Sequence, residues 1–236
     1  MSEKVIVIVG ASGGIGTALA HKLAPTGSKL VLTALNSQKL KNLAQSLSIS
    51  DSALTVTTDI TQPNQVESLM DTVVSHFGKI DVLVNCAGAG VMKQYNKITP
   101  EDLDKMLDLN LKGSFYTSQA AANIMKDHHG GHICNVIGIL GKHPMAMASA
   151  YCASKYGVVG FSKCLADEVK RYGIKVTLFY FGGIDTPFWD NVSLKVDRKK
   201  MLTPQTAADA IYFALMAEPQ AVPMEINIQP DSHLFF

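Results

Sequence analysis

Tyr151 and Lys155 stand four residues apart in the run Tyr151-Cys152-Ala153-Ser154-Lys155. On a helix that spacing puts both side chains on one face. A lysine ammonium beside a phenol favours the phenolate, because opposite charges stabilise each other. At about 4 Å and an effective dielectric near 20 the attraction is worth roughly 4 kcal/mol. That equals about three pKa units, enough to bring a tyrosine from about 10 towards neutrality. A tyrosine tuned in this way exchanges a proton with a carbonyl or alcohol oxygen. The four-residue motif alone is common on surface helices, so the elements around it must carry the argument.

Those elements alternate almost from end to end. β-Branched runs predict strands at 4–9, 29–33, 53–58, 81–84, 131–137, 174–179 and 223–228. Amphipathic stretches predict helices at 14–26, 37–48, 62–77, 100–127, 150–172 and 203–217. The segment 100–127 reads as two helices or one bent helix. Such alternation implies right-handed strand–helix–strand units: an α/β protein with a doubly wound parallel sheet of about seven strands and helices on both faces. No repeat, low-complexity tract or linker divides residues 1–236, so one domain is expected.

Composition narrows the function classes. The net charge is +1 and no long basic run occurs, so neither nucleic acid nor an anionic membrane is indicated as a partner. Lys195, Arg198, Lys199 and Lys200 read as a solvated surface loop. Cys86, Cys134, Cys152 and Cys164 show neither CxxC pairing nor zinc-like spacing, so no metal is expected and a reducing, cytoplasmic setting is. The apolar run Val5–Val9 is too short for a signal peptide and is followed directly by glycines; a buried first strand explains it better. No stretch approaches the length of a transmembrane helix.

After that strand comes Gly10-Ala11-Ser12-Gly13-Gly14-Ile15-Gly16 and then a helical pattern. Glycines allow a tight turn and a close approach to a pyrophosphate, and the helix start offers free N–H groups. The spacing is GxxxGxG with an added glycine rather than GxGxxG.

The glycine turn, Asp59-Ile60, Asn85-Cys86-Ala87-Gly88, Asn110, the Tyr151/Lys155 pair and Gly183-Ile184-Asp185-Thr186 follow one another in order and spacing. Together they make the chain resemble the short-chain dehydrogenase/reductase family over nearly its whole length. The resemblance implies a single NAD(P)-binding Rossmann-type domain with 184–202 as a substrate-covering loop. It implies that Gly10, Ser12, Gly13, Gly14, Ile15 and Gly16 hold the pyrophosphate. Asp59 and Ile60 would border the adenine, and Asn85, Ala87 and Gly88 would line the cofactor cleft. Lys155 would bond the nicotinamide ribose, Ile184 and Thr186 would contact the carboxamide end, and Asn110 would hold a relay water. Taken singly, Asp59 also reads as a turn cap and Asn110 as a partner for backbone at a helix bend.

The end of the second strand, Thr33-Ala34-Leu35-Asn36-Ser37, lacks the carboxylate that favours NAD in the family. It also lacks the basic residues that usually hold the 2′-phosphate of NADP. Asn36, Ser37 and the next helix start tip the expectation to NADP(H) over NAD(H).

The family's strand-five motif aligns with Asn135-Val136-Ile137-Gly138-Ile139-Leu140-Gly141 and places its catalytic serine on Gly138. No serine or threonine lies between Ser118 and Ser149. Losing a donor of that kind costs around 10²–10³ in rate, by analogy with oxyanion-hole mutants. Gly182-Gly183, where the family has Pro-Gly, is a second departure.

Segments 89–97, 139–149 and 184–202 would meet the substrate. Val91, Met92, Tyr95, Leu140, Met145, Met147, Phe188, Trp189 and Leu194 make an apolar pocket the expectation. The resulting reading is an NAD(P)(H)-dependent oxidoreductase. It would interconvert a ketone or aldehyde, of 3-oxoacyl type or another apolar carbonyl, and an alcohol, with Tyr151 as acid/base, Lys155 tuning it and Asn110 completing the relay. The alternative is an impaired or non-catalytic dinucleotide-binding protein, a sensor or an oligomer subunit. Small and apolar residues on several faces of 100–127 and 150–172 need cover on both sides. The resemblance makes these two helices the seam of a homodimer or homotetramer.

Overall fold

Val5–Val9 (β1) is buried along its whole length. Val5, Val7 and Val9 join one apolar cluster while Ile6 and Ile8 join another. A strand apolar on both sides sits inside a sheet that is covered on both faces. The computed structural model describes residues 1, 3–49, 53–232 and 234 and shows such a sheet. After β1 the chain forms α1 (Gly14–Leu23), β2 (Lys29–Ala34), α2 (Ser37–Ser46), β3 (Ala53–Thr57) and α3 (Pro63–Phe77). Then follow β4 (Val82–Asn85), α4 (Pro100–Met106), α5 (Gly113–Asp127) and β5 (Gly131–Val136). The chain closes with α6 (Ser149–Val169), β6 (Ile174–Phe181), α7 (Pro204–Leu215) and β7 (Glu225–Ile228).

The strand order is β3-β2-β1-β4-β5-β6-β7, with every neighbouring pair parallel. Leu19, Leu40 and Ile211 place α1, α2 and α7 on one face; Leu69, Met125 and Val158 place α3, α5 and α6 on the other. The order reverses between β1 and β4, which opens a crevice at their carboxyl ends. Among the described residues no helix is long and apolar enough to cross a membrane.

The expected segment 100–127 proves to be two helices joined without a break in direction. Thr99 and Asp102 form a reciprocal capping box at the start of α4. Residues Leu107–Lys112 then make a π-helical turn before α5. Gly113 follows it because Ile60 packs there: a Cβ would lie 2.7 Å from the Ile60 Cδ1. Two other helices are shorter than expected. Tight 3₁₀ turns at Ala24–Thr26 and Lys170–Tyr172 end them, each followed by a left-handed glycine, Gly27 or Gly173.

Candidate active site

Helix α6 carries both halves of the expected proton-transfer pair into the crevice, and both are buried: Tyr151 is 9% exposed and Lys155 4%. The Lys155 Nζ donates to the Val136 carbonyl at 3.1 Å. It stands 5.9 Å from the centre of the Tyr151 ring. The expected lowering of the phenol pKa does not occur in this arrangement. Burial pushes the Tyr151 hydroxyl above its usual range, and the ammonium that should offset this is turned to the end of β5. Burial also lowers Lys155 from 10.5 to about 8. The same apolar surroundings therefore shift both groups towards their neutral forms, although Lys155 stays mostly protonated at pH 7.

Asn110 sits on the π-helical turn, fully buried. Its Oδ1 accepts from the Ala89 N–H at 3.0 Å, and its Nδ2 donates to the Ala89 carbonyl and to the Ser154 Oγ, both at 3.0 Å. Ser154 Oγ in turn donates to the Tyr151 carbonyl at 2.7 Å. Asn110 thus clamps the loop after β4 to the turn of α6 between Tyr151 and Lys155. Gly88 fills the remaining gap: a Cβ there would be 3.2 Å from the Asn110 Oδ1 and 3.5 Å from the Lys155 Nζ. Sequence reading missed Ser154, whose signal was a small polar residue directly before Lys155.

The glycine turn approaches the loop after β4 closely. A Cβ on Gly10, whose φ is +79°, would lie 2.7 Å from the Ala87 nitrogen. One on Gly16 would lie 2.4 Å from the Gly10 carbonyl. The start of α1 has no side-chain cap and no acidic residue in its first turn, so its N–H groups and positive end face the crevice. Gly13, Gly14, Ile15 and Gly16 line a cleft of about 240 Å³ together with Ala87, Gly88, Tyr151, Lys155, Ile184 and Thr186. Thr33, at the carboxyl end of β2, and Thr58, just past β3, are buried with unpaired hydroxyls. A glycine-walled cradle at a helix start and spare polar atoms at these strand ends fit a dinucleotide.

Other expected site residues lie outside that cleft. Ser12 is half-buried within the turn. Asn36 is exposed and caps α2 by accepting from the Lys39 N–H at 2.9 Å. Asp59 accepts from the N–H and hydroxyl of Thr61, the bonding of a turn cap. Ile60 packs into the core against Gly113. Asn85 is buried beneath the cleft, bonded to Asn135, Ser118 and Thr117 at 2.8, 3.1 and 2.9 Å. Its neighbour Cys86 reaches the cleft instead.

At Gly138 a Cβ would stand 3.3 Å from the Tyr151 Oη, so this position faces the tyrosine. Its φ of 87° and ψ of 155° belong to a region open essentially to glycine. Met92, Ile137, Ile139, Leu140, Phe181 and Phe188 make the surroundings apolar.

A lid lies over the cleft. Thr186 rests on Gly14, where a Cβ would be 2.4 Å from the threonine Cγ2, and Phe188 rests on Gly90. Arg198 fastens the lid. It reaches Asp185 at 2.5 Å, Asp190 at 2.7 Å and the Thr186 carbonyl at 3.1 Å. The sequence placed Arg198 in a solvated loop. The folded lid brings two carboxylates to it from positions eight and thirteen residues away.

Comparison with known proteins agrees with this layout. The family model for short chain dehydrogenase matches residues 4–197. The chain is similar to an uncharacterised oxidoreductase of Staphylococcus epidermidis, 34% identical over 230 residues and 98% of each chain. It is similar in structure to an alcohol dehydrogenase from the archaeon Thermococcus sibiricus complexed with 5-hydroxy-NADP, with a TM-score of 0.91 and 25% identity over 100% of both chains. A variant of the actinorhodin polyketide ketoreductase with NADPH gives a TM-score of 0.88 at 25% identity over 98% of both chains.

Proposed function

The chain belongs to the short-chain dehydrogenase family of oxidoreductases, and we propose that it is a nicotinamide-dependent carbonyl reductase or alcohol dehydrogenase acting on an apolar carbonyl. One observation carries this reading: the Tyr151 hydroxyl and Lys155 ammonium open into the same cleft as the uncapped start of α1. Gly13 to Gly16 would hold the pyrophosphate, Lys155 the nicotinamide ribose, and Ile184 and Thr186 the carboxamide end. A nicotinamide dinucleotide so held supplies or accepts a hydride at the substrate carbon. Tyr151 gives a proton to the oxygen on reduction and takes it back on oxidation. Lys155 steadies the phenolate once its ammonium turns from the Val136 carbonyl. Asn110 keeps the loop of Gly88 and Ala89 against α6, and a water at its turn would complete the relay.

NADP(H) is favoured over NAD(H). The end of β2 offers no carboxylate to repel a 2′-phosphate, Asn36 and Ser37 open α2 beside it, and two similar structures carry NADP-type cofactors. Four free thiols are in keeping with a reducing, cytoplasmic setting. α5 and α6 support self-association: Phe115 packs edge-on to Phe161 at 5.4 Å while remaining 40% exposed, and Tyr156 is 44% exposed. A dimer or tetramer is expected in light scattering at micromolar concentration; a monodisperse monomer would refute it.

Gly138 favours a second reading, a dinucleotide-binding protein that has lost turnover. A panel of apolar ketones and aldehydes with NADPH and NADH separates the two. Turnover that Tyr151→Phe reduces by at least about 10³-fold supports the enzyme, in line with loss of a general acid. Turnover that survives this change removes Tyr151 from its role, and no turnover at all favours the second reading.

A further inference from the structure

The backbone at Gly138 bears on what the substrate must bring. Gly138 lines the cleft with Tyr151 and Phe181, and there the wall is backbone alone, a shallow notch beside the tyrosine hydroxyl. A Cβ on Gly138, at the floor of this notch, would be 3.3 Å from the Tyr151 Oη and 3.8 Å from the Phe181 carbonyl oxygen. Phe181 still pairs with Ile228 of β7 but lies two residues past the last β5–β6 pair, Val136 with Phe179, so on the β5 side its carbonyl stands beyond the ladder. The notch therefore has two polar edges within an apolar cleft. The phenol both donates and accepts; the carbonyl only accepts. A methylene placed there would strip water from both without replacing its hydrogen bonds. A hydroxyl suits them.

The geometry points to an α-hydroxy ketone or aldehyde with an otherwise apolar body as the substrate class. This rests on the reductase reading above. In such a group the two oxygens lie about 2.7 Å apart, a hydrogen-bonding distance. With the carbonyl oxygen on the Tyr151 hydroxyl, the neighbouring hydroxyl falls into the notch. Its proton is shared between the Phe181 carbonyl and the substrate's own carbonyl oxygen. Its hydrogen bond shifts to the latter as negative charge grows there, while the proton stays on the hydroxyl. The substrate supplies the hydrogen bond that position 138 does not. On reduction a reduced nicotinamide dinucleotide gives a hydride to the carbonyl carbon and Tyr151 gives a proton to the oxygen. The products are a vicinal diol and the oxidised dinucleotide, and the tyrosine regains its proton from solvent.

The test compares kcat/KM of the unmodified protein for matched substrates: cyclohexanone, 2-hydroxycyclohexanone and 2-methoxycyclohexanone, each with NADPH and NADH. The methoxy compound withdraws electrons as the hydroxyl does but has no proton to donate. A donor to developing charge is worth about 10²–10³, so the hydroxy ketone is expected to exceed both others by about 100-fold. Gly138→Ala, which puts a methyl group into the notch, is expected to erase that preference. Equal values for the hydroxy and plain ketones, or a methoxy ketone as good as the hydroxy ketone, overturn the inference and leave the reductase reading standing. Turnover of none of them, nor of any carbonyl in the wider panel, overturns both.

Discussion

Lys155 shows how much the candidate active site costs the fold. Its folded pKa of about 8 lies below the 10.5 of the free side chain. Between these values the unfolded chain holds a proton that the folded one has released, so stability rises with pH across the window and the penalty is complete below pH 8. The gap corresponds to about 3 kcal/mol. Lys155→Met should therefore raise stability at pH 7 by about that amount in urea unfolding, remove the slope between pH 8 and 10.5, and abolish turnover. An equally stable or weaker variant would show that the ammonium is better solvated than its burial implies. Tyr151 is subject to the same burial, so a shift of Lys155 Nζ from the Val136 carbonyl towards the phenol would relieve both groups together.

Among the elements, the lid is held by contacts that can be removed singly. Arg198→Ala takes away one guanidinium from two carboxylates and a carbonyl. These ion pairs are exposed, so the melting temperature should hardly move. The Michaelis constant should rise about ten-fold because Thr186 and Phe188 lose their tether. Arg198→Lys should recover only part of this, since an ammonium cannot reproduce the forked geometry; full recovery by lysine would reduce the role to charge alone. The lid also marks how far the elements were legible in the sequence. Strands such as β1 and β4 could be read because short β-branched runs followed by glycine-containing turns leave few alternatives. The π-helical turn at Leu107–Lys112 could not. It accompanies a clamp between Asn110 and Ala89, residues 21 apart, which no local pattern encodes. Arg198 is exposed, as the sequence suggested, but its two carboxylate partners could not be read locally, since they converge only when the lid folds. Asn85 was expected at the cleft because the motif around it is there, yet its side chain points into a buried network that the strand register decides.

For the molecule as a whole, acid sensitivity has an identifiable source. His132 on β5 is buried against Thr177 at 2.7 Å, and burial lowers it from 6.5 to about 4. Below pH 6.5 the unfolded chain takes up a proton that the folded one refuses, so stability falls as pH drops from 6.5 to 4, by about 3 kcal/mol in all. His132→Gln should flatten that part of the stability profile in thermal melts; an unchanged slope would assign it to carboxylates instead. A margin this small also bears on the history open to the protein. Position 138 has settled into a backbone shape that essentially only glycine adopts. Placing a serine at position 138 would cost about 1–3 kcal/mol unless the loop first turned back, a large share of the stability of any domain. That cost leaves the chain freer to change the substrates it accepts than to gain a hydroxyl at position 138.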